Sequence, residues 1–261
     1  MDLSLKGRTA LVCGSTQGIG LAAASEISLL GADCILIARN EERLKTALES
    51  LDKSLGQQHG YLVADFSRPE QVEAAVLGLL SGLTIQILVN NTGGPSAGPI
   101  VQAEQEAFQA AFSQHLICNH LLARAVLPGM QKSGYGRIIN ILSTSVKVPI
   151  RNLGVSNTTR WAVAAWSKTL AGELAPYGIT VNNVLPGSTM TGRLKTMLSN
   201  TARQFGSTYE AVETEWLQKI PMGRFGKVQE IAALVAFLAS PAASFITGAS
   251  IPADGGQTPS I

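Results

Sequence analysis

The sequence predicts an α/β fold, a doubly wound parallel sheet in a single domain spanning residues 1–261. Three observations carry this. Short apolar runs alternate with longer stretches of helical periodicity along the whole chain. The apolar runs are continuous, as strands buried on both faces must be, so they belong to a parallel sheet covered by helices on each side. Apolar residues make up 46% of the chain and charged residues 15%, enough for a large core and too little charge for disorder.

The strands are expected at Thr9–Cys13, Cys34–Ala38, Gly60–Ala64, Ile87–Asn90, Arg137–Leu142, Thr180–Leu185 and Ser250–Pro252. Helical periodicity fills 18–30, 41–54, 69–81, 104–132, 154–175 and 228–239. Right-handed crossovers between these strands give the doubly wound arrangement. The least regular part, 188–220, follows Pro186-Gly187. Ligands of open α/β sheets bind beyond the carboxyl ends of the strands, so this segment is expected to be a substrate lid.

Charge and composition exclude several function classes. The net charge is +2 and the 20 basic residues are scattered, leaving no footprint for nucleic acid or an anionic membrane. No apolar run is long enough to predict a membrane span. The start, MDLSLKGRTALV, enters a strand almost at once and lacks the parts of a signal peptide, so a cytoplasmic location is expected. Cys13, Cys34 and Cys118 have no metal-ligand spacing, no metal is expected, and they read as small buried hydrophobes.

The first strand runs into CGSTQGIG, where Gly14, Gly18 and Gly20 open a helix, with Ser15 and Ile19 in the same turn. Glycines there permit a tight turn and close backbone approach, and the helix N-terminus attracts a pyrophosphate. Further on come VADFS with Asp65 and Phe66, LVNNTGG with Asn90 and Gly93, and VLPGSTMT with Pro186, Gly187, Thr189 and Thr191. These motifs, in this order and over nearly the whole length, resemble the short-chain dehydrogenase/reductases, a Rossmann-fold family, and within it the β-ketoacyl-carrier-protein-reductase-like proteins. The resemblance implies that Asp65 contacts the adenine. It implies that Asn90 and Gly93 steady the sheet and line the cofactor cleft, and that the Pro186–Thr191 segment closes over the nicotinamide. The second strand ends in Ala38-Arg39 where an acidic residue would bind a ribose 2′-hydroxyl. A guanidinium suits a 2′-phosphate, with Ser15 as a further donor, so NADP(H) is expected over NAD(H), which stays possible. The alternative for Arg39 is a surface pair with Glu41 or Glu42.

The catalytic stretch departs from the family. There a Ser is followed thirteen residues on by a Tyr and four later by a Lys; from Ser143 this count gives Ser156 and Arg160. The family's Asn on the preceding long helix falls on His115. In the family Tyr protonates the carbonyl oxygen, Lys lowers the Tyr pKa and holds the ribose, and Asn holds a water. A Ser hydroxyl is shorter and a far poorer acid than a phenol. Arg160 stays charged and holds a ribose or an alkoxide but shuttles no proton, whereas a histidine titrates near neutrality. Three expectations follow. One is a reductase of a small carbonyl or alcohol substrate served by Ser143, Arg160 and water relayed through His115. Another is a cofactor-binding pseudoenzyme with a regulatory or scaffolding role. A third is an interaction protein without cofactor, which the retained Gly14 and Gly18 speak against. Ser156 and Asn157 are also candidate helix caps.

Leu121, Leu122, Val126, Trp161, Ala165 and Trp166 suggest a second apolar stripe on the two long helices, hence a homo-oligomer. The family resemblance implies a tetramer. In the lid, Met190, Leu194, Met197, Leu198, Phe205, Tyr209 and Trp216 line a pocket or pack the lid itself. Arg193, Lys195 and Arg203 favour an acidic substrate or face solvent.

Overall fold

The apolar runs become seven strands, β1 (Thr9–Cys13), β2 (Asp33–Ala38), β3 (Gly60–Val63), β4 (Ile87–Asn90), β5 (Gly136–Ile141), β6 (Ile179–Pro186) and β7 (Ser250–Ala253), in a computed structural model that describes residues 1–260. They form one parallel sheet in the order β3-β2-β1-β4-β5-β6-β7. Each parallel strand is re-entered from the same end, so the chain returns through helices: α1 (Gly18–Leu29), α2 (Glu41–Glu49), α3 (Pro69–Leu80), α4 (Gln105–Phe112), α5 (Cys118–Ser133), α6 (Gly154–Leu174), α7 (Gly192–Phe205), α8 (Tyr209–Gln218) and α9 (Val228–Ala239).

Side chains alternate faces along each strand, and both faces are covered. Val12, Leu36 and Val89 meet α1, α2 and α9 through Ile27, Leu44 and Val235. Leu11, Ile37, Leu88 and Ile138 meet α3, α5 and α6 through Val76, Leu122, Val126 and Ala171. Each such fully buried Leu or Ile contributes roughly 2 kcal/mol. Leu122 and Val126 thus belong to the core, not to a second stripe, because α5 turns them onto the sheet; Trp161 of α6 is exposed. All three cysteines are buried and free.

The structure differs from the sequence reading in three places. The helix expected over 41–54 ends at Glu49, because Asp52 Oδ1 accepts from the Ser54 N–H (3.1 Å) and hydroxyl (2.7 Å). Such a local Asp turn competes with the helix. The helix expected over 104–132 is divided by a π-helical turn, Ser113–Ile117, that carries His115. The lid is not irregular: it holds α7 and α8, capped by Thr191 Oγ1 on the Leu194 N–H (3.2 Å) and Thr208 Oγ1 on the Ala211 N–H (3.2 Å). Among the described residues no helix is long and apolar enough to cross a membrane.

Candidate functional site

β1 and β4 are neighbours, so the chain leaves them in opposite directions and a crevice opens at their carboxyl ends. A cleft of about 1010 Å³ begins there and runs under the lid. It is lined by Gly14, Gly18, Ile19, Arg39, Asp65, Phe66 and Gly93, and by Ser143, Ser156, Arg160, Pro186, Gly187, Thr189 and Thr191. Sequence reasoning named all of these.

Gly14 has φ +57° and its missing Cβ would collide with the Asn91 carbonyl, so only glycine fits. Gly20 is just as constrained, against the Gly14 carbonyl, which lets α1 start hard against the end of β1. This leaves the N-terminus of α1 open to the cleft as a seat for an anion. Asn91 Nδ2 bonds the carbonyls of Cys13 (3.3 Å) and Gly14 (3.2 Å) and holds the turn. Arg39 and Asp65 both line the cleft and lie close enough for their charges to interact. Glu41 and Glu42 are both taken by Lys45, at 3.3 and 3.0 Å, so the alternative surface pairing of Arg39 is not formed. The Ser67 backbone N–H, 3.0 Å from Asp65, holds that carboxyl below its usual range, with Arg39 and Arg68 adding.

Four expected site residues do not line the cleft. Ser15 is fully buried with its hydroxyl unpartnered, and Thr16 faces the cleft in its place. Gly20 acts through packing alone. Asn90 is committed to a ladder across the strand ends. It donates to Asn140 (2.8 Å), Asn140 to Asn183 (2.9 Å), and Asn183 to Ser250 (3.0 Å), one rung on each of β4 to β7. Asn90 therefore steadies the sheet, while Asn91 lines the cleft. His115 is 5% exposed and lies behind the cleft wall, where Gln114 takes the lining position. The π turn that carries it is a device found often at functional sites.

His115 Nδ1 lies 2.6 Å from Thr92 Oγ1, and its Nε2 is buried without a partner. Burial, then the charges of Arg160 and Arg193, push its pKa down to about 3. The ring is neutral at any ordinary pH. Arg160 enters the cleft from α6 and donates to the Ile141 carbonyl (3.0 Å). Burial and the charge of Arg193 lower it to about 10, so it remains a cation. Ser143 Oγ accepts from the Ser145 N–H (3.1 Å), and the Trp161 indole clamps that turn onto α6 through the Ser145 carbonyl (2.7 Å). Ser156 is 7% exposed in the first turn of α6. Neither it nor Asn157 caps that helix; Asn157 instead binds the Ile150 carbonyl (2.8 Å) of the preceding loop.

The lid supplies Leu194, Met197 and Trp216 to the cleft. Leu194 and Leu198 also pack with Val212, Met190, Tyr209 and Trp216 into the lid's own small core, and Phe205 is 70% exposed. Arg203 bonds only lid groups, whereas Arg193 reaches across to the carbonyls of Gly94 (2.9 Å) and Pro95 (3.2 Å). The C-terminal residues Gln257, Thr258 and Pro259 also line the cleft. The sequence held no signal for them beyond their place after β7. Among the described residues no cluster of His, Cys, Asp or Glu could hold a metal ion.

A family model described as enoyl-(acyl carrier protein) reductase matches residues 14–258. The 3-oxoacyl-[acyl-carrier-protein] reductase FabG of Pseudomonas aeruginosa is 35% identical over 98% of this chain and 99% of its own length. The L-sorbose reductase of Gluconobacter frateurii, solved with NADPH and L-sorbose, superposes with a TM-score of 0.94 at 32% identity over the full length of both chains. YwfH, an NADPH-dependent reductase involved in bacilysin biosynthesis, gives 0.92 at 31% identity over 97% of this chain and 99% of its own.

Proposed function

The chain belongs to the short-chain dehydrogenase/reductase family, and from that premise we propose that it is an NADP(H)-dependent oxidoreductase acting on a small carbonyl compound through an altered centre. The single observation that carries this reading is the cradle at the strand ends: Gly14 and Gly20 leave no room for a Cβ, and Arg39, in no salt bridge among the described residues, lines the same cleft. NADPH, when bound, supplies the hydride. Arg39 is assigned to the 2′-phosphate, Asp65 to the adenine and the α1 N-terminus to the pyrophosphate. Thr189 and Thr191 are assigned to the nicotinamide end. Arg160 would give one N–H to a ribose hydroxyl, and its charge beside the substrate oxygen stabilises the negative charge developing there, leaving further N–H donors free. Ser143 donates to the same oxygen. Water delivers the proton, because Ser156 is too weak an acid and His115 is held neutral. His115 contributes by fixing Thr92 rather than by carrying charge.

A titration with NADPH and NADH, followed by nicotinamide fluorescence, tests the reading. Tighter binding of NADPH with enhanced emission is expected. Tighter NADH binding would overturn the assignment of Arg39, and no binding of either would overturn the enzyme. One observation favours a second reading, a cofactor-binding protein that turns over little: no tyrosine lines the cleft among the described residues. Replacing Ser156 with Tyr and Arg160 with Lys together separates the two. A native protein faster than the double variant supports an adapted centre. Self-association, argued from exposed Trp161, and the tetramer that the family resemblance implies are tested by light scattering, where a monomeric mass would refute both.

A further inference from the structure

The cleft is far more basic than the chain. Arg39, Arg43, Arg160, Arg193 and Lys219 line it against one acid, Asp65, while the whole protein carries only +2. Arg39, Arg43 and Asp65 belong to the adenosine end. At the other end Lys219 is neutralised by Glu215 at 2.6 Å. Arg160 and Arg193 remain. Neither forms a salt bridge among the described residues. Arg160 has one protein partner, the Ile141 carbonyl, and Arg193 two, the carbonyls of Gly94 and Pro95. Each guanidinium has five N–H donors, so most of both forks is unused. Two cations facing one cleft without a counter-ion repel each other, and an anion between them removes that cost.

Apolar side chains make up part of the surrounding wall, beside the polar Gln114, Thr144 and Ser156. Leu194, Met197 and Trp216 of the lid face Val148, Pro149 and Ile150 of the loop before α6. A ligand for this end has an apolar body and one anionic group.

We propose that Arg160 and Arg193 together hold a carboxylate, and that the substrate is an oxo acid with an apolar body rather than a neutral ketone. This rests on the reductase reading above and names its substrate class. A planar carboxylate matches two guanidinium forks in bidentate geometry. Arg160 comes from α6, beside the reacting centre, and Arg193 from the lid. Binding the acid therefore ties the lid to the body of the protein, and Arg193 already bridges the two through Gly94 and Pro95.

The test uses the full-length protein loaded with NADPH and three aryl oxo acids, phenylglyoxylate, phenylpyruvate and benzoylpropionate, each paired with its methyl ester. Binding is followed by calorimetry and by the change in nicotinamide emission. At least one acid is expected to bind tenfold or more tightly than its ester. Arg193→Met is expected to remove about tenfold of that preference, Arg193→Lys to restore part of it, and NADPH affinity to stay within about twofold in both. Esters binding as tightly as acids throughout would overturn the proposal. So would an Arg193→Met protein that keeps the acid preference, or one that loses NADPH instead, since Arg193 would then serve a cofactor phosphate. Calorimetry with the acids alone separates this proposal from the reading it rests on: failure to bind either nucleotide, with acid preference kept, would sink the reductase and leave the clamp.

Discussion

Two pairs of arginines lie at opposite edges of the sheet, and neither pair forms a salt bridge among the described residues. At the amino edge Arg8 and Arg137 sandwich the Tyr135 ring, with guanidinium carbons 3.8 and 4.0 Å from its centroid. Arg137 also donates to the carbonyls of Gly136 (2.8 Å), Gly178 (3.3 Å) and Ser240 (3.4 Å). At the carboxyl edge Arg160 and Arg193 have no aromatic partner and few carbonyls among the described residues, and they line an open cleft. The first pair is built into the fold: a π face meets both guanidiniums and backbone carbonyls meet Arg137, although the Arg8 Nε is buried without a partner among the described residues. The second pair is unfinished until a ligand arrives. Burying a cation is tolerated either by satisfying it within the fold or by reserving it for an anion, and this chain does both.

The comparison breaks or holds on opposite signs. Arg160→Leu is expected to weaken oxo-acid binding by about 100-fold or more, near 3 kcal/mol. Its urea midpoint should stay level or rise, because a cation without a counter-ion has been removed. A midpoint that falls steeply would place Arg160 with the structural pair. Arg137→Leu is expected to do the reverse. It leaves two buried carbonyls, of Gly136 and Ser240, short of a donor and strips one face of Tyr135, costing about 3 kcal/mol in urea unfolding. The cleft lies at the far edge, so NADPH affinity should be unchanged.

Acid separates the two pairs, because a buried histidine sits against the open one. His115 has a folded pKa pushed down to about 3, against an ordinary value of 6.5. Below 6.5 the unfolded chain takes up a proton that the folded protein refuses, so stability is present above that pH and declines as pH falls towards 3. Between pH 6.5 and 4.5 the loss from this group is roughly 2–3 kcal/mol. His115→Asn should flatten that part of the profile in urea midpoints taken at several pH values. An unchanged slope would show that His115 is not held neutral. Bound oxo acid should reduce the slope, by offsetting the two arginine charges that help hold the ring neutral.

The sheet was legible because continuous apolar runs have few other uses, and Gly14 and Gly20 because a missing Cβ marks a close approach. Arg39, Asp65 and Arg160 were legible by position at strand ends and in the catalytic spacing. Asn90 and Ser15 were misplaced by one residue of facing. Whether a side chain at a strand end or in a turn points into the cleft or into the sheet depends on the local backbone, which composition does not encode. The bounds of the two lid helices are not legible although Thr191 and Thr208 are ordinary caps; their apolar residues pack a small core of their own, one of the two readings the sequence offers. Arg193 was read as one of three lid cations of equal standing. Only the fold separates it from Lys195 and Arg203, by bringing the lid over Gly94 and Pro95.

The smallest expected effect isolates what the amino-edge sandwich owes to its ring. Tyr135 donates its hydroxyl to the Ala239 carbonyl at 2.6 Å, tying the start of β5 to the end of α9. Tyr135→Phe keeps the π face for both guanidiniums and removes only that bond. A buried neutral hydrogen bond contributes about 1 kcal/mol, so the urea midpoint should fall by an amount of that order and no more. A loss equal to that of Arg137→Leu would mean that the hydroxyl, not the ring, holds the pair. If Tyr135→Leu then costs no more than Tyr135→Phe, the cation–π contacts contribute little. The amino-edge arginines would then be satisfied by backbone carbonyls alone. The carboxyl-edge pair would differ from them only in how many carbonyls the fold supplies.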